Sequence, residues 1–235
     1  MTNGMIWVRS SLFMAWFLLL TAVMAIIFLP LLAFPRKATV WMARHWARAS
    51  LWGLKILAGL DERRIGAAPK GGVLVASKHM SMWDTLALYL ALEDPAIVLK
   101  RELLRIPFYG WYVNKAAAIA IDRGAGADAL RRMVHASEKV LAEGRPILIF
   151  PEGTRKKPGV QPDYKPGVAG LYGQLDVTCV PVALNSGRYW QGFWKYPGTI
   201  TLEFLPPIPV GLKRREFMAE LETRIETSTN KLLES

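Results

Sequence analysis

A single cysteine, Cys179, in 235 residues excludes an internal disulfide. Its apolar setting, Val177-Thr178-Cys179-Val180, reads as a buried inert thiol. The three histidines are scattered, so no zinc-ligand spacing exists and no metal is expected. A Gly-x-Ser-x-Gly elbow is missing, which argues against a serine acyl-enzyme. Internal repeats and low-complexity tracts are absent as well. Acidic residues are scarce: 19 Asp and Glu against 30 Lys and Arg leave a net charge of +11. Such a surface suits an anionic partner, whether nucleic acid, an acidic membrane face or an acidic carrier protein, and composition alone does not choose.

Charge is also lacking from Ser10 to Pro35, and Leu12–Phe34 is almost wholly apolar. About 20 such residues cross the hydrocarbon layer as helix. A cleaved signal peptide fits poorly, because the run is too long and exits on Phe34-Pro35-Arg36-Lys37 without a small-residue cleavage site. Pro30 leaves a kinked span and a re-entrant helix both open. Arg36, Lys37, Arg44, Arg48 and Lys55 follow the run while Arg9 precedes it, a bias that puts the rest of the chain on the cytoplasmic side. In residues 38–60, Trp41, Trp46 and Trp52 alternate with Arg44, His45, Arg48 and Lys55. This is the pattern of a second helix at headgroup level, or of a surface helix packed on the domain.

What remains has the rhythm of an α/β domain. Asp61–Lys70 reads as a linker. Strands are expected at Gly72–Ser77, Ala96–Lys100, Ala117–Asp122, Pro146–Phe150, Thr178–Leu184 and Thr199–Phe204. Helices are expected at Trp83–Leu92, Gly126–Ala142, Val168–Leu175 and Lys213–Leu233. The expected architecture is therefore residues 1–60 as membrane-anchoring helices and 61–235 as an α/β domain. Its central sheet should be mixed, largely parallel and flanked by helices.

Two strand ends carry chemistry. After Val73–Ser77 comes Lys78-His79-Met80-Ser81-Met82-Trp83-Asp84. Five residues apart, His79 and Asp84 cannot share a helix face, but they meet if His79 lies in the turn and Asp84 in the first helical turn. The carboxylate would then fix the imidazole tautomer and leave the other nitrogen free as a base. Ser81-x-x-Asp84 is equally a capping-box spacing, under which Asp84 only caps the helix. After Ile147–Phe150 comes Pro151-Glu152-Gly153-Thr154-Arg155-Lys156-Lys157. There Gly153 allows close backbone approach, Arg155 can grip a phosphate through paired hydrogen bonds, and Glu152 could hold Arg155 in place. A solvated basic turn is the alternative. Gly124-Ala125-Gly126-Ala127-Asp128-Ala129 fits a dinucleotide pattern, but Asp122 and Arg123 intervene after the strand and no suitable ribose-binding acid follows.

Taken together these blocks resemble the 1-acylglycerol-3-phosphate acyltransferase family. The first is His79-x4-Asp84 and the last strong one is Phe150-Pro151-Glu152-Gly153-Thr154-Arg155. Between them stand Lys100-Arg101-Glu102-Leu103, Ile106-Pro107-Phe108-Tyr109-Gly110 and Ile119-Ala120-Ile121-Asp122-Arg123, and Val180-Pro181-Val182-Ala183-Leu184 matches a weaker fourth block. The order runs from about residue 72 to 185. Ala118 to Ala120 depart from the bulkier residues often found before Asp-Arg, leaving the charged positions intact.

The resemblance implies that His79 is the general base for an acceptor hydroxyl and Asp84 its orienting partner. Lys100, Arg123, Glu152, Gly153, Thr154 and Arg155 would form the phosphate-side acceptor site, and Pro181 would shape the acyl-donor side. The implied substrates are a lysophospholipid, foremost lysophosphatidic acid, and an acyl thioester, acyl-CoA or acyl carrier protein (acyl-ACP), with no other cofactor and no nucleic acid. Other lysolipid acceptors, including amino-acid lipids, a thioesterase, and a non-catalytic membrane-binding protein are the rival readings.

Overall fold

The computed structural model describes residues 2–122, 124 and 126–235; Arg123, expected at the phosphate site, lies outside the described residues. Seven strands form one sheet: β1 (Leu60–Ile65), β2 (Leu74–Ser77), β3 (Ala96–Lys100), β4 (Ile119–Ile121), β5 (Ile147–Ile149), β6 (Cys179–Leu184) and β9 (Gly198–Phe204). Their spatial order is β1-β9-β6-β2-β5-β3-β4. The five strands from β6 to β4 are mutually parallel, whereas β9 runs antiparallel to β6 and carries β1 beside it in parallel. The sheet is thus mixed and largely parallel. A two-stranded hairpin, β7 (Trp190–Gln191) and β8 (Trp194–Lys195), stands apart.

Alternation along each strand builds two cores. Leu74, Ala76, Ile147 and Ile149 face α5 (Gly126–Ala142), α6 (Gly167–Leu175) and α8 (Arg214–Glu234). Val75, Leu148, Val180 and Val182 face α3 (Met82–Ala91) together with Phe13 and Leu54 from the N-terminal helices. Short helices α4 (Tyr109–Lys115) and α7 (Ser186–Tyr189) complete the domain.

Leu60–Ile65 is a strand where a linker is expected. Only Leu60 of it is buried, so the charged side chains give no hydrophobic signal, and the backbone pairing with β9 defines it.

The apolar N-terminal run is two pieces. Helix α1 (Asn3–Ile27) ends before a 3-10 turn at Leu29–Ala33 that holds Pro30, and α2 (Arg36–Gly53) then returns. Both halves of α1 touch the domain. The Lys195 backbone N–H donates to Ser10 Oγ at 3.0 Å, Arg9 Nε donates to the Leu57 carbonyl at 3.0 Å, and Tyr112 Oη donates to the Ala25 carbonyl at 2.9 Å. The flank turned away is apolar: Leu19, Val23, Ile26 and Ile27 are all exposed.

On α2 the cations divide. Arg44 donates to the carbonyls of Tyr89, Leu90 and Leu92, satisfying the open end of α3, and Arg36 pairs with Asp94. Trp41 and Trp52 stay exposed at 52 % and 57 %. The helix therefore combines domain packing on one side with bare tryptophans on the other.

Candidate active site

Parallel neighbours β2, β5, β3 and β4 end on the same edge of the sheet, which brings together turns distant in sequence. His79 lies in the turn after β2. Ser81 caps α3, its hydroxyl accepting from the Trp83 N–H, and Asp84 completes the capping box. The same carboxylate also serves His79: Nδ1 stands 3.0 Å from Asp84 Oδ2, which additionally accepts from the backbone N–H of Met80 and of Ser81. Capping and orientation are one arrangement rather than alternatives. Because a carboxylate only accepts, Nδ1 carries the proton and Nε2 has the free lone pair. The imidazole stacks on Phe150 at 3.9 Å between ring centres, which fixes its plane.

Asp84 Oδ1 accepts from the hydroxyls of Ser81 and Ser186, and those hydroxyls lie 2.9 Å apart. With five donors, the fully buried carboxylate is held in one rotamer. Ser186 sits 102 residues from Asp84, and no sequence pattern announces it.

Beneath the two turns lies a buried ion cluster. Lys78, 2 % exposed, donates to Glu152 Oε1 at 2.9 Å and to both oxygens of Glu226 on α8, at 2.8 and 3.0 Å. Tyr164 Oη donates to Glu226 at 2.9 Å, and Glu152 Oε2 accepts from the His79 N–H. Burial raises the Glu152 pKa, with Lys78 pulling the other way. Glu152 therefore does not hold Arg155. It faces inward and joins the Phe150–Lys157 turn to the histidine turn, a join repeated where the Lys156 N–H donates to the His79 carbonyl.

Above these turns opens a cavity of about 1490 Å³, beyond the roughly 300–1,000 Å³ of an ordinary small-molecule pocket. His79, Lys100, Gly153, Thr154 and Arg155 all line it. Its remaining wall is mainly apolar, including Leu86, Val98 and Met133, and it extends to Leu18 and Ala22 on α1. Gly153 takes φ +64°, a left-handed turn that a side chain would strain. Among the described residues, neither Arg155 nor Lys100 has a carboxylate partner, so both cations stand open toward the cavity. The His79 imidazole and two cations without carboxylate partners among the described residues thus share a space large enough for a lipid chain.

Pro181 is not part of that wall. It is buried in β6 opposite Ala76, its carbonyl accepting from the Leu205 N–H, so it supports the sheet below the site rather than shaping the cavity.

Residues 61–185 match the model of the acyltransferase family. A 1-acyl-sn-glycerol-3-phosphate acyltransferase of Pseudomonas aeruginosa is 34% identical over 201 residues, covering 84% of this chain and 78% of that protein. One from Borreliella burgdorferi is 31% identical over 153 residues, 63% of this chain and 60% of that protein. In fold the chain is similar to the solved 1-acyl-sn-glycerophosphate acyltransferase of Thermotoga maritima, with a TM-score of 0.76 over 95% of this chain and 97% of that one at 18% identity. The matched segment holds both turns of the site, and on these grounds the chain belongs to the acyltransferase family.

Proposed function

We propose that the protein moves a fatty acyl group from an acyl thioester to the sn-2 hydroxyl of lysophosphatidic acid, giving phosphatidic acid. The observation that carries this reading is one cavity holding both the His79–Asp84 pair and the cations Lys100 and Arg155. The cations take the phosphate monoester, Arg155 through a two-pronged contact, and hold the glycerol hydroxyl near His79. Nε2 removes the hydroxyl proton as the oxygen attacks the thioester carbonyl. The carbon–sulfur bond then breaks, and the leaving thiolate takes the proton back from the imidazolium. Fixing two reactants in one geometry suffices because the thioester is already activated. The transfer uses no cofactor beyond its acyl-CoA or acyl-ACP donor.

Residues 1–60 serve as the membrane anchor and 61–235 as the catalytic domain in this reading. About 22 Å of α1 separates Ser10 from Ala25, and both are bonded to the domain. That arrangement favours a helix lying in one leaflet, its bare flank toward lipid, over a span. The exposed cations Lys37 and Arg48 on α2 suit the anionic cytoplasmic leaflet and support that face.

Arg155→Ala tests the headgroup assignment. Losing a hydrogen bond to a charged group predicts a roughly ten- to hundredfold rise in KM for lysophosphatidate, with a phosphate-free lysolipid little affected. Equal losses on both acceptors, measured by competition, contradict the phosphate grip. Ser186→Ala removes one of the five donors to Asp84 and is expected to lower kcat about tenfold at unchanged KM. Restoration by Ser186→Thr marks the hydroxyl, rather than packing, as the cause.

A further inference from the structure

The β7–β8 hairpin has no place in the chemistry above, yet it is built with care. Trp190 pairs with Lys195 and Gln191 with Trp194, leaving Gly192 and Phe193 as a two-residue turn. Gly192 supplies φ +60°, as tight hairpins require. An isolated hairpin this short is marginal in water, and a buried lysine stiffens it. Lys195 is wholly buried, and its Nζ donates to the Gly192 carbonyl at 2.7 Å and the Phe193 carbonyl at 2.8 Å. It also lies 4.4 Å over the Trp190 ring. Burial lowers its pKa to about 8, the electrostatic cost of this clamp.

The clamp holds two large aromatics out. Phe193 and Trp194 are 40 % and 39 % exposed, their rings edge to face. Single exposed apolar side chains are ordinary, but neighbouring ones continuous with a larger apolar surface mark an interaction site. Here the hairpin is joined to the start of α1. The Lys195 N–H donates to Ser10 Oγ on α1, and Trp190 packs edge-on against Phe13 of that helix. Met5, Trp7, Val8 and Leu12, also exposed, occupy the same end of α1.

We propose that this hairpin is a further membrane contact, with Phe193 and Trp194 seated at headgroup level in the leaflet that takes α1. The partner is lipid rather than protein because the hairpin is bonded to α1 at Ser10, one turn from the exposed Trp7 at the start of an apolar helix, and tryptophan suits the interface between water and hydrocarbon. Its effect is to hold the start of α1 at membrane level, so that the cavity reaching Leu18 and Ala22 meets the bilayer in one orientation. The proposal rests on the reading of α1 as a membrane helix.

The test uses the full chain carrying Phe193→Cys, spin-labelled and reconstituted in phosphatidylethanolamine–phosphatidylglycerol vesicles. Cys179 is wholly buried, which leaves position 193 as the reactive thiol. Val23→Cys on α1 and Arg131→Cys on the exposed face of α5 are the lipid and water references. Expected is a label at 193 collided with by oxygen and shielded several-fold from a water-soluble nickel chelate relative to position 131. A label at 193 as open to the chelate as at 131, with 23 shielded, overturns the hairpin contact alone. Chelate access at 23 equal to that at 131 overturns the membrane reading of α1 and this proposal with it.

Discussion

His79→Ala is expected to lower kcat for acyl transfer about a hundred- to ten-thousandfold, the range a positioned general base supplies. The substitution is a clean one. Asp84 keeps its bonds from the Met80 and Ser81 N–H groups and from the hydroxyls of Ser81 and Ser186, so the cap of α3 and the turn survive. Phe150 loses only a stacking partner. Thermal stability and acceptor affinity should therefore stay near those of the parent, and turnover alone should fall. Steady-state kinetics beside a melting curve separates the two, and a variant that turns over at parental rate removes His79 from the base role.

Lys78→Met should have the largest effect on stability. It leaves the Glu152 side chain buried beside Glu226 with no cation between them. Breaking a buried pair by removing one member costs about 3–5 kcal/mol. In a chain of this size that shifts the midpoint by roughly 6–20 °C. Adding Glu152→Gln removes the stranded charge and should restore part of the loss, which a merely volumetric effect of methionine would not allow.

The direction of the Glu152 shift adds a pH test. A carboxyl whose folded pKa is raised binds its proton more tightly in the fold than in the unfolded chain. Its contribution to stability is full below the ordinary carboxylate value and is lost as pH rises through the folded value. Glu152→Gln should flatten the stability profile over that window. A profile unchanged by the substitution places the titration elsewhere.

Strong local patterns were legible in the sequence, and long-range partnerships were not. Helix α5 follows from the spacing of Val134, Ser137 and Val140, all buried on one stripe, and β3 from a short apolar run ending on Lys100. The His79–Asp84 pairing could be read because the capping box and the turn lie within six residues. Glu152 could not be placed. Its neighbour Arg155 looked like its partner, but the turn sends one side chain inward and the other to the cavity. Nothing in the sequence singles out Lys78, whose two partners lie 74 and 148 positions away. Packing of α8 across the sheet makes that site, and no local periodicity encodes it.

The most direct measurement supplies the purified chain with 1-acyl-glycerol 3-phosphate and an isotope-labelled acyl thioester, then locates the label by positional hydrolysis of the product. The account predicts labelled acyl at sn-2 of phosphatidic acid, dependent on His79. Labelled free fatty acid released at the same rate without acceptor, or label carried equally well by a phosphate-free lysolipid, would contradict it.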